Sequence, residues 1–312
     1  MTPDRPTPEI AAAIAQHALG WPSAAATRFQ TGSGHYVYEA HGDGRSVVVR
    51  MGLEAQRAEM TAGLHLAETL ATMAVPLPAI YATGLDDPLP WVVMERLAGT
   101  DLGAVIAGLS NSQLSAIATR VAQAQAVAAR FGSAGRYGYS ATAEAAPHGR
   151  WSAVVRASMD RSHRGIKQAS LFDLGVMDAV TSLYAAHLPA LDAIAATPFL
   201  HDTTTKNVII AADGTFSGIV DVDDLCFGDP RYAPALTKAV LLAYGGPLHY
   251  VDAWMRAAGH DDDAVFRFYV ALFLVDLMAE HGHVSNGNER PSTPEQRQGL
   301  LVAFDQAIAA DR

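Results

Sequence analysis

The chain has 312 residues, enough for one large or two moderate domains with real cores. Half of it is hydrophobic, which sets disorder aside, and 22 Lys plus Arg against 32 Asp plus Glu give a net charge of −10. That balance disfavours a nucleic-acid partner, whose binding runs on counterion release by clustered cations, and suits cationic small molecules better.

The single cysteine, Cys226, rules out an intrachain disulfide and any Cys-based zinc cluster, and fits a reducing cytoplasm. The opening residues lack a cationic stretch followed by an unbroken apolar one, so no signal peptide is expected. The strongest apolar run, Phe268 to Ala279, is broken by Asp276 and is too short to span a bilayer, so no membrane partner is expected either.

In chain order, the sequence predicts a short helix over 8–19, ended by the break at Pro22. From Ala25 the pattern turns strand-like. Tyr36 to Ala40 and the β-branched return Ser46 to Arg50 flank the turn His41-Gly42-Asp43-Gly44, an antiparallel ribbon. Glu54 to Ala71 carries apolar residues at helical intervals and stops before Val75-Pro76-Leu77-Pro78, where each proline bars continuation. Ala79 to Gly84 and Trp91 to Glu95 read as two further strands. The composition shifts at Met94 to Gly99, a connector, and two long Ala-rich helices follow near 111–131 and 172–195, with an irregular surface segment at 133–150 between them. A last, strongly apolar helix covers 266–280.

The chemistry concentrates at 199–232. Asp202 and Asn207 bracket a polar loop, and Asn207 leads into Val208-Ile209-Ile210, an Asp213-Gly214 turn, and a return through Ile219 and Val220 to Asp221. This is a hairpin signal, and with the loop centred on Gly214 it sets Asn207 opposite Asp221. One amide oxygen and one carboxylate then converge, a hard-oxygen pair suited to Mg²⁺, with Asp202 as a second carboxylate beside the metal. Five aspartates and no Lys or Arg lie between 213 and 229, a crowding that calls for an outside cation. The arrangement reads as phosphoryl transfer; turn-forming and capping roles for the same residues are the plainer alternative.

Thr31-Gly32-Ser33-Gly34-His35, just before a strand, could let backbone N–H groups approach phosphate, or could be an ordinary Gly-rich hairpin edge. No Walker A sequence occurs. Arg50 ends a strand and the next helix offers Glu59, with Glu54 as the alternate, to hold it toward phosphates; a solvated surface ion pair is the other reading. Asp276 and Glu280, four apart on one helix face, either line a cleft or meet an Arg. His281 and His283 read as surface residues and Cys226 as a small packed side chain.

Taken in order, the Gly-rich hairpin, Arg50, the helix Glu, VPLP, the connector, then HDTTTKN, IVDVDD and FGDPRY, the chain from about 25 to 245 resembles the aminoglycoside phosphotransferase family of small-molecule kinases. The resemblance implies an α+β, protein-kinase-like bilobal fold: a small antiparallel-sheet N-lobe with one helix over 1–95, a connector over 96–100, and a larger, mostly helical C-lobe over 101–312. It implies ATP (or GTP) between the lobes, adenine against the connector backbone at Glu95 to Leu97, and phosphates under Gly32, Ser33 and Gly34 and beside Arg50. Asp202 then matches the catalytic base, Asn207 and Asp221 the Mg²⁺ ligands, and Gly228-Asp229-Pro230 the family's GDP turn. Three departures stand out: Leu200 where the family usually has His, Val222 for a frequent Trp, and Arg50 for the Lys of protein kinases. The acceptor is expected near Asp223, Asp224, Asp276 and Glu280, whose charge favours an aminoglycoside, amino sugar or other amine-bearing alcohol over a neutral one such as a macrolide. A nucleotide-binding regulator without catalysis and a metal-dependent hydrolase are the competing readings.

Overall fold

The computed structural model describes residues 5–29, 34–282, 284–285, 288–289 and 292–309, and the chain divides into two compact units. The first comprises 1–98 with 284–289, the second 99–283 with 290–312.

The first unit opens with α1 (Pro8–Leu19), capped by the Thr7 hydroxyl and closed by Gly20 in the left-handed region. Strands β1 (Ala25–Arg28), β2 (Tyr36–Gly42) and β3 (Arg45–Met51) follow, then α2 (Arg57–Thr72), β4 (Ile80–Gly84) and β5 (Trp91–Glu95). They form one five-stranded antiparallel sheet in the order β1-β2-β3-β5-β4. The β2–β3 turn has only two central residues, Asp43 and Gly44, both at positive φ, which matches the right-handed twist of the ribbon. Alternate residues Tyr36, Tyr38, Ala40, Val47, Val49 and Met51 are buried in one core with Trp21, Trp91 and α1. A 3-10 turn over Glu54–Gln56 starts the run into α2, and the VPLP segment ends it as predicted.

The second unit begins with β6 (Thr100–Asp101) and α3 (Leu102–Val105), then α4 (Asn111–Ala128), β7 (Gly138–Ser140), α5 (Trp151–Ala169) and α6 (Val176–Asp192). Strands β8 (Thr197–Phe199), β9 (Val208–Ile210), β10 (Phe216–Ile219) and β11 (Leu225–Gly228) precede α7 (Tyr232–Tyr244), α8 (His249–Ala258) and α9 (Ala264–Glu280). A two-stranded pair, β12 (Val284–Ser285) with β13 (Asn288–Glu289), belongs to the first unit, and α10 (Pro294–Ala309) to the second. Helix α9 is apolar nearly all round and packs against α5, α6, α7 and α10, which explains why the strongest apolar run is a core element. Among the described residues no helix is long and apolar enough to cross a membrane. Two small sheets, β10-β9-β6 and β7-β11-β8, carry the polar segments between them on that helical core.

Two expectations need correction. His281 is buried, with Nδ1 within 3.0 Å of the Ser292 hydroxyl and its ring against Phe172, so it is a packed residue; His283 lies outside the described residues. The second Ala-rich helix is also shorter than 172–195, since α6 runs only from Val176 to Asp192.

Candidate active site

The β9–β10 hairpin forms, but its register differs from the expected one. The Asp213 carboxylate accepts from the Thr215 N–H (2.9 Å) and hydroxyl (2.6 Å), which pins the turn and holds that carboxyl below its ordinary range. Ile210 faces Phe216, whereas Ile209 faces Gly218, so Ser217 is an extra residue in a β-bulge. The shift leaves Asn207 opposite Val220, whose N–H donates to the Asn207 carbonyl at 2.9 Å, and Asp221 one position further on. Asp221 itself takes φ 62°, a left-handed conformation that Asp tolerates better than most residues and that turns the chain out of β10. It lines a concavity of the second unit together with Asp202, Val222 and Asp224, with Leu200 and His201 in its wall.

The loop from 200 to 207 is tied down by side chains. The buried Gln125 of α4 accepts from the Leu200 N–H (2.9 Å) and donates to the Leu200 carbonyl (2.8 Å) and the Thr203 hydroxyl (2.9 Å). Asn207 donates its amide to the Asp202 carbonyl (2.8 Å), closing the loop on itself. The Thr204 hydroxyl donates to Asp202 Oδ1 at 3.2 Å; Oδ2 carries no hydrogen bond among the described residues. The Asn207 donation also orients its amide, and Oδ1 accepts none from the described residues, which leaves a hard, neutral oxygen for a cation. No cluster of three His, Cys, Asp or Glu suited to a metal occurs among the described residues. An amide oxygen and one carboxylate completed by water and phosphate is a different donor set, and the Asn207 and Asp221 side chains are of those two types.

The candidate acceptor residues are dispersed in their settings. Asp224 stands 3.2 Å from His201 Nδ1, and the His201 ring meets Tyr139 edge-on at 4.8 Å. Asp223 is half-buried and Glu280 exposed. Asp276, by contrast, is turned toward α5, where it accepts from the hydroxyls of Ser162 and Ser158. Of the two expected settings, Asp276 therefore does not line an open cleft with Glu280. Burial pushes the Asp276 carboxyl above the usual carboxylate range, against the opposing pull of Ser162, Arg161 and Ser158. A carboxyl raised on folding binds its proton more tightly in the native state, so its contribution is most favourable below the ordinary range and is lost as pH rises through the raised value. Asp276→Asn keeps an acceptor for the serines and removes that slope. Its melting temperature relative to wild type is expected to climb as pH goes from about 4 toward neutrality; a difference constant with pH would refute the assignment.

In the first unit, Gly32 and Ser33 lie outside the described residues, and the Gly34 carbonyl accepts from the Gln56 side chain. Arg50 bonds to Nδ1 of the buried His35. Neither helix acid holds Arg50: Glu54 is engaged by Arg57, and Glu59 is exposed with no ion pair among the described residues. Glu54 instead pairs with Arg57 three residues on, and Glu59 lies on the exposed side of α2. The Glu95 carboxylate accepts from the Ala79 N–H at 3.1 Å, pinning the segment after VPLP, and the Leu97 carbonyl accepts from Arg96 at 2.6 Å.

Comparison with known proteins adds the family. The sequence model described as "Phosphotransferase enzyme family" (APH) matches residues 25–269, well over half of the chain. The chain belongs to that family. It is an enzyme of the small-molecule kinase kind. No curated protein matches it in sequence. Among solved structures, a thermostable mutant of aminoglycoside phosphotransferase APH(4)-Ia in apo form is 17% identical, with 95% of each chain covered and a TM-score of 0.63. A ternary complex of a further mutant of that enzyme with ADP and hygromycin B is 15% identical over 94% of this chain and 97% of that one, with a TM-score of 0.63. ADP-bound APH(2'')-Ib is 12% identical over 95% and 96%, at 0.62. At such identities the likeness shows the protein-kinase-like fold.

Two features of this phosphotransferase escape a local reading of its sequence. Gln125 sits on the buried face of α4 with Val121, Ala122 and Ala128; a polar amide within an Ala-rich buried stripe is the signal that it must find partners. The set of partners around the GDP turn is the second. Asp229, 3% exposed, accepts from the Arg231 backbone N–H and guanidinium and from Tyr269, which in turn accepts from Trp151 Nε1. Burial disfavours the charge on Arg231, but Asp229 and Asp263 more than offset it and hold the guanidinium firmly cationic. Cys226 packs in the same core, and burial pushes its thiol well up, away from reactivity.

Proposed function

We propose that this chain moves the γ-phosphoryl group of ATP to a hydroxyl of a small, amine-bearing alcohol, with aminoglycosides and amino sugars as the acceptor class. The observation that carries the reading is Asp202 itself: its loop is tied at both ends, Thr204 fixes one carboxylate oxygen, and the other has no hydrogen bond among the described residues in a concavity shared with Asp221. In the reaction the acceptor oxygen bonds to the γ-phosphorus, the bond from phosphorus to the ADP oxygen breaks, and the hydroxyl proton passes to Asp202 Oδ2. Asp202 orients that hydroxyl before it takes the proton. Asn207 and Asp221 would hold Mg²⁺, which when bound would neutralise charge on the phosphate oxygens. Gly34 and Arg50 serve the phosphates, and the backbone at Glu95 to Leu97 serves the adenine. Glu59 has no part in this arrangement. Asp223, Asp224 and the net charge of −10 support a cationic acceptor.

The test is ADP release with ATP and Mg²⁺ across a panel of aminoglycosides, amino sugars and neutral alcohols, with GTP as a second donor. Turnover confined to amine-bearing acceptors is expected. Stabilisation by nucleotide with no turnover on any acceptor would make the chain a regulator, and preference for macrolides or other neutral alcohols would overturn the acceptor class.

A further inference from the structure

We propose that Gln125 is the positioning residue of the catalytic loop, fixing from α4 the backbone that carries Asp202. The inference rests on the role of Asp202 proposed above. Leu200 lies just past the end of β8, where strand pairing no longer serves its peptide groups, and it is 1% exposed, so water cannot serve them either. Its own side chain is apolar. Gln125 takes over both groups: Oε1 accepts the Leu200 N–H at 2.9 Å and Nε2 donates to the Leu200 carbonyl at 2.8 Å. The same Nε2 reaches the Thr203 hydroxyl at 2.9 Å, which itself donates to the Leu200 carbonyl at 3.3 Å. The two residues flanking His201-Asp202 are thus held by one carboxamide on an 18-residue helix, 75 residues away in sequence. On the far side, the Thr237 hydroxyl of α7 lies 3.5 Å from the Thr203 carbonyl. Asp202 stands between these two fixed points, with its carbonyl held by the Asn207 amide and its Oδ1 by the Thr204 hydroxyl.

Gln125→Met keeps the length and bulk of the side chain and deletes all three bonds. Because a displacement of the order of 1 Å at the reacting group costs up to about 100-fold in rate, kcat is expected to fall ~10- to 100-fold with KM for ATP and acceptor little changed. Backbone hydrogen exchange over 199–207 should accelerate in the same variant while exchange in α9 is unchanged. Gln125→Glu supplies the companion test. When protonated, the introduced carboxyl can accept from the Leu200 N–H and donate to its carbonyl; when ionised, it faces that carbonyl as a like partial charge. Its kcat, relative to wild type, should therefore recover as pH falls. This profile decides the matter if Gln125→Met does not fold. Wild-type kcat in Gln125→Met, or a Gln125→Glu profile parallel to wild type, would overturn the proposal. Should the wild-type protein phosphorylate no acceptor, the functional reading fails alone, and unchanged exchange over 199–207 in Gln125→Met would separately refute the clamp.

Discussion

Asp202→Asn is expected to lower kcat by about 10²- to 10⁴-fold, the span typical of losing a positioned general base. The substitution is close to isosteric, and its amide oxygen can still accept from Thr204 as Asp202 Oδ1 does at 3.2 Å. The Asn207 bond to the residue's carbonyl is backbone-directed and unaffected. What disappears is the second oxygen as a proton acceptor, so loop geometry and nucleotide binding persist while proton transfer does not. Steady-state ADP release with saturating acceptor measures it, and KM for ATP should stay near wild type. Undiminished turnover in the variant would remove Asp202 from the mechanism. Loss of ATP binding together with turnover would instead make it a structural residue.

For stability, Asp229→Ala should have the larger effect, about 3–5 kcal/mol, because it strips the partner from a charge held largely out of water. The side chains of Asp229 and Arg231 are 4% and 15% exposed, and the guanidinium makes contact with both Asp229 oxygens. Removal leaves Arg231 with Asp263 as its one ion-pair partner among the described residues and leaves the Tyr269 hydroxyl without its acceptor beneath Trp151. The neighbouring Gly228 has no room to compensate: a Cβ there would lie 2.1 Å from the Trp151 ring, so a bulkier residue could not move in from that side. Urea unfolding of both proteins gives the difference. A loss under about 1 kcal/mol would mean that water enters and solvates Arg231, as it does around exposed pairs.

What the sequence discloses follows the range of the interactions involved. The Asp43-Gly44 turn, the helix ended by VPLP, α1 between Thr7 and Gly20, and the Asp202–Asn207 loop all depend on residues within a few positions of each other, and each is readable. The β9–β10 pairing is readable as a hairpin, yet its register is not, because a bulge at Ser217 leaves no mark on the alternation of Phe216, Ile219 and Val220. Arg50 shows the opposite limit. A charged helix residue nearby in sequence suggests the partner, and the folded ribbon supplies His35 instead, across β2 and β3. Helix α5 is passed over for a related reason: Ser158 and Ser162 stand in its buried stripe, and only the Asp276 side chain, more than 110 residues away, explains them.

The bulge at Ser217 also divides the hairpin into parts with unequal tolerance for change in length. The tip, from Ala211 to Thr215, is a local turn whose backbone bonds close on themselves, but Gly214 at positive φ packs against the Gln113 side chain, so an added residue there has to displace it. Between Phe216 and Gly218 a single deletion would erase the bulge and leave Ile219 opposite Val208, whereas deletion of Val220 would draw Asp221 by about one residue rise, ~3.4 Å, into the place opposite Asn207. Ile219 would keep its place in the core in the first case, and Asp221 would leave the concavity in the second. A change of one residue is thus absorbed at the bulge in the middle of this hairpin and counted residue by residue at its Asp221 end.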